Sequence, residues 1–157
     1  MLQLLSAVLV LGVLNFLLNL KRERSGFDGF QQKDSDSFAP IDTTIDSPVG
    51  FGYKCLWVAV KSTDQTEIAN FIGLHNTQTA NWESGIENAY RGKVFITPPI
   101  DEWILLVGYG LPQEKTDDEL VQIKNLVNKL SKRFGEAQHF ASHRVVDYHC
   151  WIKSING

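Results

Sequence analysis

Cysteine is scarce: Cys55 and Cys150 are the only two in 157 residues, which excludes a disulfide scaffold, and no CxxC spacing is present for a metal or redox pair. Catalytic signatures are missing as well. Neither GxSxG nor HExxH occurs, and "GYGLP" (Gly108–Pro112) lacks the GxGxxG or GxxxxGK[ST] spacing that cradles phosphate. There is no excess of basic charge. The formal net charge is −3, and from Tyr53 onward eleven Lys/Arg meet twelve Asp/Glu, so no nucleic-acid footprint is implied. Internal repeats are not visible. What is present is 43% hydrophobic and 11% aromatic content, enough for one packed domain.

The strongest positive signal is an apolar run. "LQLLSAVLVLGVLNFLLNL" (Leu2–Leu20) holds nineteen residues without a charge, nine of them leucine. As a helix it reaches roughly 28 Å at ~1.5 Å per residue, close to the ~30 Å hydrocarbon core. A cleaved signal peptide needs a basic n-region and a small-x-small cleavage site. Only Met1 precedes the run and "KRER" follows it, so the expectation is a retained transmembrane helix over residues 1–20. Lys21, Arg22 and Arg24 then place the C-terminal side in the cytoplasm by the positive-inside bias, where both cysteines stay reduced.

Residues 21–52 read as a basic flank followed by a flexible acidic linker, with five Asp between Ser25 and Gly52 and no helical or strand period. Phe27, Phe30 and Phe38 read as uncommitted aromatics within it. The remainder, 53–157, reads as one α+β domain. Tyr53–Val60 is rich in β-formers. Asp64 with Glu67 starts a short helix to Ile72, closed by Gly73, and a second runs from Trp82 to Tyr90. Lys93–Thr97 and Glu102–Gly108 make a strand pair around Pro98-Pro99. "TDDELVQIKNLVNKLSKRFG" is the clearest helix, with Thr116/Glu119 as capping box and Leu120, Ile123, Val127, Leu130 and Phe134 as its apolar stripe. "AQHFA" and "RVVDYHCWIK" follow as strands. The pattern predicts a mostly antiparallel sheet with helices on one face, of ferredoxin-like βαββαβ type plus an extra strand.

Chemically dense residues cluster in "HRVVDYHCW" (His143–Trp151). Read as a strand from Val145 to Ile152, alternate residues separate: Val146, Tyr148, Cys150 and Ile152 toward the core, Val145, Asp147, His149 and Trp151 away from it. That parity sets Cys150 against a Cys-His nucleophilic pair. His139 and His143 stand four apart, a zinc spacing only on a helix; in a strand they lie roughly 13 Å apart at ~3.3 Å per residue. Asp147 and His149 remain as a same-face pair. In the polar connection "GLHNTQTANWESGI", His75, Trp82 and Glu83 are further binding candidates. The binding set is therefore His75, Trp82, Glu83, Asp147, His149 and Trp151, with no catalytic residue, metal or cofactor expected.

"VFITPPIDEWILLVG" and "LSKRFGEAQHFASHRVVDYHCW" resemble a group of bacterial proteins sharing a VFxTPP…W…VG block and an FGxxQxFxxHRVVxYHxW block. The resemblance covers about Leu56 to Trp151. It implies no activity and carries over no functional residue, but it suggests further sheet after "HRVVDYHCW". Asn156-Gly157 is also a two-residue hairpin signal, so the domain is expected to lack a final strand. The functional expectation is a membrane-anchored, cytosol-facing binding module with a protein partner and no nucleic acid. The alternatives are an immunity or regulatory protein and a metal-assisted hydrolase using His143, Asp147 and His149.

Overall fold

The computed structural model describes residues 38–157 apart from Tyr53, Glu114 and Arg144. The anticipated anchor Leu2–Leu20 and the flank up to residue 37 lie outside the described residues. Within them, no helix is long and apolar enough to cross a membrane.

The element order is β1 (Leu56–Lys61), α1 (Gln65–Phe71), α2 (Trp82–Tyr90), β2 (Phe95–Ile96), β3 (Trp103–Val107), α3 (Asp117–Phe134), β4 (Glu136–His143) and β5 (Tyr148–Ile155). The fold is α+β. Its strands form one five-stranded sheet in the order β2-β3-β1-β4-β5, with every neighbouring pair antiparallel.

Side-chain alternation divides the sheet into two faces. The inner face carries Leu56, Val58 and Val60 of β1, Ile104 and Leu106 of β3, and Ala137 and Ala141 of β4, all buried. Covering them are Ile68 and Ile72 from the α1 end and Ile123, Leu126, Val127 and Leu130 from α3. The caps form as the sequence implies: Asp64 Oδ1 accepts from Glu67 N at 2.8 Å, and Thr116 Oγ1 accepts from Glu119 N at 3.2 Å. Ser154 of β5 meets Ser131 of α3, Oγ to Oγ at 2.7 Å, fixing the edge strand to the helix.

The expectation of helices on one face is corrected by α2. Its Trp82, Ile86 and Ala89 form a stripe that packs on Cys55, Phe95 and Val107, residues of the opposite, outer parity. A Cβ at Gly85 would sit 2.4 Å from the Phe95 ring, so only glycine allows this helix so close to β2. The sheet is thus covered on its inner face by α1 and α3, and on the β2–β3 half of its outer face by α2.

Residues 38–52 are irregular but docked, where the sequence reads as a free tether. Asp46 reaches the start of α2: its Oδ1 accepts from Trp82 N and its Oδ2 from Glu83 N, both at 2.9 Å. Asn81 caps the same helix through Ser84 N at 3.0 Å, and Asn81 N donates to Asp42 O at 2.7 Å. Phe38, read as uncommitted, lies under the Lys93 ammonium at 3.9 Å from its ring centroid. The cause is a long-range partner: a carboxylate 36 residues away satisfies backbone N–H groups that a helix start otherwise leaves open.

Candidate functional site

β4 and β5 are joined through a turn that includes residues 145–147, with Val146 N donating to His143 O at 3.2 Å and Asp147 at φ 48°. Aspartate tolerates that left-handed backbone. The predicted strand beginning at Val145 is therefore corrected: Val145 and Val146 sit in the turn and are exposed, and period-two alternation starts at Tyr148. From there the parity holds. Cys150 and Ile152 pack toward the inner core, while His149, Trp151 and Lys153 face outward, opposite Ser142, Phe140 and Gln138.

The register assembles an aromatic row across three strands. Trp57 of β1 stands opposite Phe140 of β4, and Phe140 opposite Trp151 of β5. Trp57 and Phe140 stack with centroids 4.2 Å apart at 17°, Phe140 and Trp151 lie 6.4 Å apart, and Phe51 meets Trp57 edge-on at 6.1 Å. Unlike Phe95 and Val107, this half of the outer face has no helix over it among the described residues. Trp151 is 74% exposed and Ile155 57%. The apolar surface ends at β5, whose outer edge pairs with no other strand among the described residues.

Charges flanking the row are neutralised locally. Lys153 Nζ lies 2.6 Å from Glu136 Oε1, and Lys61 Nζ 3.2 Å from Glu102 Oε2. The Lys153 hydrogen bond is the main cause holding the Glu136 carboxyl below its ordinary value. Among the described residues, both lysines flanking the row are thus paired with a carboxylate.

At the hairpin end, His149 Nδ1 is 3.0 Å from Ser142 Oγ and His149 Nε2 is 3.7 Å from Asp147 Oδ1. The turn, not strand pitch, brings the Asp147–His149 pair together. Ser, His and Asp in a chain is a nucleophile–base–orienter composition, but the Asp147 side chain is 99% exposed and that of His149 51%. A solvated carboxylate neither orients an imidazole firmly nor stabilises its cation, since both effects need a dry, preorganised site. His143 belongs to the inner-face parity, opposite Tyr148. Among the described residues, no three His, Cys, Asp or Glu side chains converge closely enough to hold an ion.

The other sequence candidates lie elsewhere. His75 is exposed beside α1, near the β2 edge. Four strand spacings separate that edge from β5, about 19 Å at ~4.8 Å each. Trp82 is buried edge-to-face against Phe95 at 5.6 Å and serves the core, while Glu83 is exposed and contributes its backbone N–H to Asp46. Sequence reasoning missed Trp57 and Phe140. Their outward parity was available in "CLWVAV" and "AQHFA", but the pairing of β1 with β4 was not.

Cys55 is buried in the outer-face core beneath α2. Burial pushes its thiol up to about 11, and its Sγ donates to Leu56 O at 3.4 Å. Comparisons with protein-family models, with curated proteins and with solved structures find no match.

Proposed function

We propose that this chain is a membrane-anchored binding module that takes an extended segment of a partner protein onto the β5 edge and the adjoining aromatic face. The observation that carries the reading is the coincidence of two features left open among the described residues: an eight-residue edge strand and the exposed Trp151 ring beside Phe140 and Trp57. Edge N–H and C=O groups supply the affinity in strand addition, and side-chain pockets supply its specificity. A partner strand would place alternate apolar side chains against Trp151 and Ile155. Local charge balance favours a peptide over a nucleic acid. We also read β1 through β4 as a ferredoxin-like split βαβ core with β5 added, on the strength of the order β2-β3-β1-β4.

The test is selection of displayed random peptides on the full chain in mild detergent, followed by affinity measurement against Trp151→Ala. Enrichment of peptides with alternating apolar residues is expected, bound roughly 30-fold more weakly by the variant, as for a central aromatic anchor. Peptides that bind both proteins equally, or no enrichment at all, would refute the reading. Stoichiometric zinc in the purified chain that disappears on His149→Ala would instead favour the metal-assisted hydrolase.

A further inference from the structure

Away from the aromatic face, at the β2 edge, a cleft of about 830 Å³ opens between α1, the connection 73–80, α2 and the docked segment 38–41. Its size falls within the usual range for small-molecule sites. The lining mixes apolar and polar groups and is lopsided in charge. Asn70, Asn76, Thr77 and Gln78 offer amides and hydroxyls, Lys93 supplies a cation, and no Asp or Glu among the described residues lines it. Lys93 is held in place by the Phe38 ring, 3.9 Å from its ammonium.

Asn88 on α2 also lines the cleft and is only 3% exposed. Its amide orientation is fixed, because Nδ2 donates to Ser84 O at 2.9 Å and to Ala39 O at 3.2 Å. Its Oδ1 is buried with no hydrogen-bond partner among the described residues. A covered acceptor of this kind costs roughly 1–3 kcal/mol until a donor meets it. The helix start is not a competing anion site, since Asp46 already occupies the first N–H groups of α2.

We propose that this cleft binds a small hydroxylated organic anion, with a carboxylate or phosphate on Lys93 and a hydroxyl donating to Asn88 Oδ1. The absence of lining carboxylates among the described residues disfavours a cationic ligand, and the buried Asn88 acceptor calls for a ligand that carries a hydroxyl donor. This inference does not rest on the peptide-binding reading, which concerns the opposite edge of the sheet.

The experiment is calorimetric titration of the full chain in mild detergent with gluconate and glucose 6-phosphate, using glucose and inorganic phosphate as comparison probes. At least one sugar anion is expected to bind about tenfold or more tightly than either comparison probe, since two contacts act together. Lys93→Gln should lower that affinity about tenfold with an unchanged melting temperature, and Asn70→Trp, which fills the cleft from its exposed rim, should abolish it. Asn88→Ala also removes the bonds to Ala39 and Ser84, so those two variants carry the test. The proposal is overturned by the absence of binding by both sugar anions at about 10 mM. Equal affinity for inorganic phosphate, or indifference to Lys93→Gln, overturns it as well.

Discussion

Removing the Asp46 carboxylate tests whether residues 38–52 belong to the domain. In Asp46→Ala, two charge-assisted hydrogen bonds of 2.9 Å, to Trp82 N and Glu83 N, disappear together. Fully buried bonds to a charged group are worth ~1.5–3 kcal/mol each. Asp46 is half-buried and Asn81 still caps Ser84 N, so a lower figure applies. Loss of a helix cap costs about 1 kcal/mol, and the lost charge at the positive end of the helix adds roughly 0.3–1 kcal/mol. The expected total is about 2 kcal/mol, or roughly 8 °C in melting temperature for a domain of this size. Asp42→Ala is the control, because its carboxylate accepts within its own turn, from Thr44 N at 2.8 Å and from the Thr43 N–H and the Thr44 hydroxyl. That change should stay within about 0.5 kcal/mol. The assay is urea and thermal denaturation of the full chain, followed by far-ultraviolet circular dichroism and tryptophan fluorescence. If the two variants are equally stable, Asp46 does not cap α2 and the segment is a tether after all.

Two further perturbations probe the packing that sets the outer face. Gly85→Ala puts a methyl group 2.4 Å from the Phe95 ring and should destabilise by about 1–3 kcal/mol despite alanine's better helix propensity; a neutral or stabilising result in urea denaturation would mean α2 sits further from β2. Cys55 gives a pH signature. Its thiol value is raised from an ordinary 9.0 to about 11, so the folded state keeps a proton that the unfolded chain loses. Stability should be unaffected below about pH 9 and fall between 9 and 11, and Cys55→Ala should flatten the fall. Burial also raises Tyr90 and Tyr109, with the same sign, so a shallower decline persists in the variant. An equally steep decline without the thiol contradicts the assignment.

Local chemistry made much of this fold legible in advance. Helix α2 was anticipated with its observed bounds, and α3 follows directly after the Thr116 cap, because the devices that start and stop them lie within three or four residues of the ends. Strand parity was equally readable wherever a strand exists: His149 and Trp151 do face away from Cys150 and Ile152. The errors arise where the deciding partner is remote in sequence. Nothing within several residues of Asp46 indicates that its carboxylate closes a helix 36 residues on. Nor does any pattern inside Trp82–Tyr90 say which face of a sheet its apolar stripe will meet.

The aromatic face joins both kinds of information, which explains why only one of its rings was picked out. Alternation assigns Trp57, Phe140 and Trp151 each to a surface, and each alone reads as an ordinary exposed or half-buried ring. Only the register Trp57↔Phe140↔Trp151 turns three separate outward residues into one contiguous row. Coverage then decides the outcome. On the same outer face, Phe95 and Val107 lie beneath α2 and became core, while Trp151, two strands beyond β1, is covered by no helix among the described residues. A nine-residue helix roughly 13 Å long at ~1.5 Å per residue cannot span a five-stranded sheet, so α2 covers only one half of that face. Chain length in α2, rather than any motif in "HRVVDYHCW", sets how much of this face the helix covers.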